Sequence, residues 1–111
     1  EWTKTEDGVR NPWYIHAKGL IMFAGVWQTW GPDAITTCAI VTCAANPKMQ
    51  TLHPRMPVVL KAEQWGLWLG EAQGKAAPLM QAVSEDALDF YRVAHTVNSN
   101  RATGVMLTTP I

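Results

Sequence analysis

Between Ala34 and Leu60 the chain reads AITTCAIVTCAANPKMQTLHPRMPVVL, and this stretch limits the fold more than any other. Two runs of β-branched and small apolar residues flank a segment broken by Pro47, Pro54 and Pro57. The first run, 34–45, is apolar or threonine at both parities, the pattern of a strand covered on both faces, so it is expected to be central. Asn46-Pro47 ends it, and Val58–Leu60 begin another strand. His53 and Met56 each precede a proline, which pushes both toward extended backbone and holds the intervening Arg55 on a stiff frame. An imidazole and a guanidinium preorganised in this way suit acid–base chemistry, although a hydrogen-bonded structural histidine gives the same pattern.

Strand signals continue on either side. Asp7-Gly8 is a hairpin turn between an opening polar stretch and WYIHAK (13–18). LIMFAGVWQTW (20–30) reads as one long strand with Gly25 as a bulge or close-approach point, ended by Gly31-Pro32-Asp33. From residue 61 the period changes: Trp65, Trp68 and Leu69 fall on one helical face and Gly70 is a natural stop. A second short helix is expected over 75–83, with Pro78 in its first turn, and a late strand over 89–97. Strands with helices inserted late give an α+β class: a mixed, mostly antiparallel sheet or barrel-like core with short helices.

With 111 residues the chain makes one small domain at most. Hydrophobic residues are 48% and charged ones 16%. That balance excludes a disordered tail and suggests apolar surface awaiting a partner. Six tryptophans point the same way, since tryptophan favours interfaces as well as cores. Nine basic and nine acidic residues balance, so no global field advertises nucleic acid. Cys38 and Cys43, an odd number of residues apart along a strand, face opposite ways; they are expected to be free, buried thiols in a reducing compartment. No metal-ligand spacing, phosphate-binding loop, dinucleotide fingerprint or membrane-length apolar run is present, so no metal, cofactor or membrane is expected.

The motifs add a resemblance. AIVTCAANPKMQTLHPRMPVVLKAEQWGLWL (39–69) is similar to the core of the SRAP (SOS response-associated peptidase) family: I-x-T ahead of A-N, then H-x-R-M-P, an apolar strand and W-x-x-W-L. Upstream, PWYIHAKG and AGVWQTW match the family's P-Y-x-I and A-G-L-W-x-x-W, and HTVNSN and LTTPI resemble its ending. The resemblance covers nearly all of residues 1–111 and implies the C-terminal part of a single SRAP domain, with Glu1-Trp2 as the end of the family's G-F-[YF]-E-W motif. Residues 1–111 would then lack the N-terminal half, its crosslinking cysteine and an asparagine that helps hold the sugar.

The resemblance implies further that the whole domain captures abasic sites in single-stranded DNA. An α-amine and a thiol on one N-terminal cysteine would close a thiazolidine on the sugar aldehyde, and the enzyme would process its own N-terminus. Cys38 and Cys43, as strand-interior residues, offer only thiols. Glu1 would assist sugar opening and proton transfer, and His53 would act as general acid–base beside the crosslink. Thr42 would offer a hydroxyl near sugar or phosphate, and Arg55 would meet the DNA backbone or brace the loop. A cytoplasmic, bacterial or phage-like setting follows from the same resemblance. Two other readings stay open: a non-covalent single-stranded DNA-binding module, and a structural half-domain that needs its other half to fold.

Overall fold

A computed structural model describes residues 1–111. The strands are β1 (Trp2–Lys4), β2 (Arg10–His16), β3 (Met22–Phe23), β4 (Gly25–Trp30), β5 (Ile35–Ile40), β6 (Thr42–Ala44), β7 (Arg55–Pro57), β8 (Val59–Leu60) and β9 (Asp89–Arg92). The one-turn helices α1 (Pro47–Gln50) and α2 (Trp65–Trp68) are joined by four 3₁₀ turns. Every strand pairing is antiparallel, in one three-stranded sheet, β1-β2-β9, and three two-stranded ladders. The class is therefore α+β, as the residue pattern indicates, and the ladders do not close into a barrel.

The three ladders share one centre. The extended segments 22–30, 35–44 and 55–60 each change partner half-way along: β3 pairs with β8, β4 with β5, and β6 with β7. At the change-over points the backbone closes a triangle. Ala24 N–H donates to Val58 C=O at 2.8 Å, Val41 N–H to Ala24 C=O at 2.8 Å, and Val58 N–H to Val41 C=O at 2.9 Å. Each residue gives and takes one bond, so no backbone group is orphaned where the ladders part. Ala24 and Val58 are wholly buried, and with Leu60 they carry Trp65, Trp68 and Leu79. Both indoles are held by backbone: Trp65 Nε1–H donates to Leu60 C=O at 3.1 Å and Trp68 Nε1–H to Gly25 C=O at 3.0 Å.

A second cluster (Met49, Met56, Val59 and Leu88) joins α1 to the sheet, with Ile15 and Phe90 packed against it. Asn46 organises this region. Its Oδ1 accepts from Met49 N–H at 2.9 Å as the cap of α1, and its Nδ2 donates to Val83 C=O at 3.0 Å. Pro47 follows in the first turn, where its missing N–H costs nothing.

Several expectations from the sequence need correction. Segment 35–44 is extended but divides at Val41 into β5 and β6, and β5 is exposed along its whole length. It pairs only with β4, equally exposed, so the two make a projecting arm and not a sheet centre. Cys38, on that arm, is exposed, and Cys43 is half-buried; neither is the buried thiol expected, although both are unbridged. Segment 20–30 is interrupted at Ala24, not at Gly25, where an added Cβ would meet only Ala39 O at an ordinary 3.6 Å. Leu69 points outward, 67% exposed: it is the C-cap of a single α turn that ends at Trp68, and nothing packs over it there. The expected helix over 75–83 shrinks to a 3₁₀ turn at Ala77–Leu79, and the late strand ends at Arg92 before another at His95–Asn98. Gly70 does stop α2, at φ +75°.

The resulting shape is open. The accessible surface is 8218 Å², whereas a compact monomer of this mass exposes roughly 6,100 Å². The radius of gyration is 17.0 Å, whereas a compact chain of this length has about 13 Å. Much of the excess is apolar: Trp27 and Trp30 on the arm are each 74% exposed, and Val26, Ile35 and Ile40 are all more than half exposed.

Candidate active site

His53 lies at the junction of α1 and β7, and the backbone holds it from both sides. Its N–H donates to Met49 C=O at 3.0 Å, continuing the turn of α1, and the carbonyl of the following Pro54 accepts from Ala45 N–H at 3.0 Å. The half-buried ring is fixed by Nδ1, which lies 3.0 Å from both the N–H and the C=O of Arg55. This contact serves two protonation states. A neutral ring with its proton on Nε2 accepts from Arg55 N–H, and an imidazolium donates Nδ1–H to Arg55 C=O. In both, the same backbone unit orients the ring and Nε2 forms no bond to the protein. An imidazole that trades one backbone partner for another on the same residue as it gains or loses a proton, with Nε2 left free, suits general acid–base work.

Arg55 points the other way along β7. Its Nη2 donates to Thr42 C=O at 2.8 Å and approaches Thr42 Oγ1 at 3.0 Å, across the β6–β7 ladder. Three of the residues singled out in the sequence, Thr42, His53 and Arg55, thus form one constellation. Arg55 braces the loop in this structure, and its exposed guanidinium keeps further N–H groups for an anion.

Glu1 stands apart from it. Trp13 N–H donates to Glu1 C=O at 2.8 Å and the Glu1 nitrogen to Trp13 C=O at 3.3 Å, so the two residues lie directly opposite. Trp13 in turn faces Arg92 on β9, which puts Glu1, Trp13 and Arg92 in one cross-strand row on one face. Along that face Trp13 meets Phe90 edge-on, with ring centroids 5.6 Å apart, and Phe90 packs on the Met49–Met56 cluster. Glu1 and His53 therefore border the same packed unit, Glu1 through Trp13 and His53 through Met49. They make no ion pair, the chain's one ion pair being Lys48–Asp89 at 3.1 Å. The Phe90 N–H first, and then Lys48, hold the Asp89 carboxyl below the usual aspartate range.

The sequence reading missed Asn46 as the residue that seats the His53 turn; Asn-Pro is a helix-start signal as much as a strand stop. It also missed a polar cluster beside Glu1. Asn11 Oδ1 accepts from Arg92 Nη2 at 2.9 Å and lies 3.2 Å from His95 Nε2, while the Arg92 guanidinium lies over the Trp13 ring.

The SRAP profile, described as SOS response associated peptidase, matches residues 1–100. This chain belongs to the SRAP family. Among its relatives, the abasic site processing protein YoqW of Bacillus subtilis is 31% identical over 107 residues, which span 89% of this chain and 48% of that protein. The abasic site processing protein YMR114C of Saccharomyces cerevisiae is 30% identical over an alignment covering 100% of this chain and 33% of the yeast protein. In fold, a crystal structure of a Bacteroides thetaiotaomicron protein superposes with a TM-score of 0.84 at 22% identity, covering 100% of this chain and 52% of that one. The SRAP chain described here thus spans about half the length of the Bacillus relative it matches and about a third of the yeast one. No helix is long and apolar enough to cross a membrane.

Proposed function

We propose that this chain supplies the acid–base and DNA-holding part of a SRAP domain that processes abasic sites in single-stranded DNA. The observation that carries the reading is the His53 ring, anchored at Nδ1 by Arg55 backbone in either protonation state and open at Nε2. His53 moves the proton beside the abasic sugar. Arg55 and Thr42 meet a flanking phosphate or the sugar, and Glu1 transfers a proton during ring opening. The nucleophile comes from a further segment of the domain. Its α-amine condenses with the open-chain aldehyde, losing one water to give an imine. Its thiol then adds across the C=N bond to close a thiazolidine, with no change in oxidation state. The same glutamate and histidine serve the self-processing that exposes that amine.

The open shape supports the idea of a further segment. A surface excess of about 2,000 Å² over a compact monomer has the scale of an obligate interface. The two-faced arm of β4 and β5 presents apolar side chains and free strand edges for it.

The test is trapping on single-stranded DNA with one abasic site, run on denaturing gels, with the natural polypeptide that carries this sequence. The parent is expected to form a heat-stable adduct; binding seen only on native gels would reduce the chain to a non-covalent module. His53→Ala is expected to slow formation or release of the adduct, and Glu1→Ala to slow it more, while His95→Ala leaves it unchanged. Parental rates in His53→Ala together with a defect in His95→Ala would sink the assignment.

A further inference from the structure

We infer that Asn98 is a positioning residue for Glu1, acting through the Trp2 indole. The inference rests on the reading of Glu1 as the proton-transfer group. Strand β1 is three residues long, lies at the edge of its sheet and pairs only with β2. Short edge strands open at low cost, so backbone pairing alone is a weak way to hold a carboxylate that must meet one sugar atom.

Two side-chain bonds supply the rest, one on each face of β1. On the face that Glu1 shares, Trp13 Nε1–H donates to Thr3 Oγ1 at 2.9 Å. On the opposite face, Trp2 Nε1–H donates to Asn98 Oδ1 at 2.6 Å. Asn98 closes the 3₁₀ turn that follows β9, so this bond ties β1 across the sheet to a segment 96 residues away. The indole has one donor and no acceptor, which fixes the Asn98 amide with its oxygen toward Trp2. Trp2 is 49% exposed and Asn98 is exposed, so the bond adds little to the core. Its effect falls on the direction in which the residue next to Trp2 points.

The experiment uses the natural polypeptide carrying this sequence and reads crosslinking rate against concentration of abasic single-stranded DNA. Trp2→Phe keeps the ring and removes the N–H; Asn98→Leu removes the acceptor. Each is expected to lower the rate at saturating DNA by about 10-fold, since displacement of a catalytic group by about 1 Å costs up to ~100-fold. The half-saturating DNA concentration and the melting temperature stay within error of the parent. The double variant is expected to be no slower than either single one, because both remove the same bond. Asn98→Asp, which keeps an oxygen facing the indole, is expected to recover most of the rate.

Parental rates in Trp2→Phe and Asn98→Leu overturn the inference, as do losses that multiply in the double variant or appear as weaker DNA binding. A Glu1→Gln arm separates the two levels. If Glu1→Gln crosslinks at the parental rate, the proton-transfer reading falls and the inference with it. If Glu1→Gln is slow while Trp2→Phe and Asn98→Leu are not, only the positioning role is lost.

Discussion

Replacing Asn46 tests how the fold holds His53 in place. The side chain belongs to a residue only 8% exposed and makes two hydrogen bonds with different consequences. Loss of the Oδ1 acceptor removes the cap of α1, worth about 1 kcal/mol. Loss of the Nδ2 donor leaves Val83 C=O without that partner, a further ~1–3 kcal/mol for a buried acceptor. Asn46→Ala is therefore expected to destabilise by about 2–4 kcal/mol, with the lower end applying if water reaches Val83. Asn46→Asp separates the two parts, since it keeps an acceptor for Met49 N–H and turns a second carboxylate oxygen toward the Val83 carbonyl. It should lose the Val83 share and retain the cap. Urea titration followed by tryptophan fluorescence gives both values, provided the denaturant slope matches the parent.

The functional consequence follows from the same turn. His53 N–H is bonded to Met49 C=O, and Met49 is the residue whose N–H Asn46 caps. Fraying of α1 thus reaches His53 through one residue, and Asn46→Ala is expected to slow crosslinking at temperatures well below its melting point. A loss under about 0.5 kcal/mol, the range of ordinary surface substitutions, would show that Asn46 is not the tie described.

Trp68→Ala removes an indole packed on Ala24, Val58 and Leu60. It is expected to cost about 3 kcal/mol, the low end for large-to-small core changes because the ring is partly exposed; an unchanged urea midpoint would place it outside the core. Ala34, at φ 51° in the turn between β4 and β5, is the one non-glycine residue in the left-handed region. Ala34→Gly is expected to stabilise by about 0.5–1 kcal/mol, read as a higher melting temperature. Asp89 has its folded pKa below the ordinary aspartate value. It therefore contributes stability that is present above the unfolded pKa and is lost as pH falls through the folded one. Asp89→Asn should accordingly flatten the acid limb of a stability–pH curve and leave the alkaline limb as it was.

What was legible in the sequence was mostly local. Asp7-Gly8 marked the first hairpin, with Gly8 at φ +83°, and the proline spacing marked extended backbone that the structure shows over Arg55–Pro57, while His53 itself continues the turn of α1. Gly70 marked the end of α2. Burial was not legible, because strand pattern reports which side chains are apolar and not which neighbour covers them. Residues 35–40 read as central, yet both faces of β5 are open in this chain. Partner exchange was equally hidden. The passage from β5 to β6 at Val41 carries no Gly or Pro, since the backbone there remains extended and only the identity of its hydrogen-bonding partner changes. The bond between Trp2 and Asn98 joins opposite ends of the chain, and no local signal could have shown it.

The three-way junction gives these separate observations a common mechanical basis. Thr42 and Arg55 sit one and three residues from the junction residues Val41 and Val58, on the ladder that leaves it toward α1. The junction fixes where β6 begins and β7 ends, the Arg55–Thr42 bonds hold them together, and the Arg55 backbone orients the His53 ring. A strain at Val58 therefore has a short covalent path to Arg55 and the His53 ring it orients, and one at Ala24 or Val41 reaches the same residues through hydrogen bonds. The opposite arm, β4 and β5, leaves the same junction with its apolar residues uncovered. A segment seated on that arm would reach the junction residues at its base, which lead directly into the ladder that carries Thr42 and Arg55. Occupation of the arm and alignment of His53 are thus expected to be coupled, with Ala24 and Val58, the two wholly buried residues of the triangle, as the rigid link.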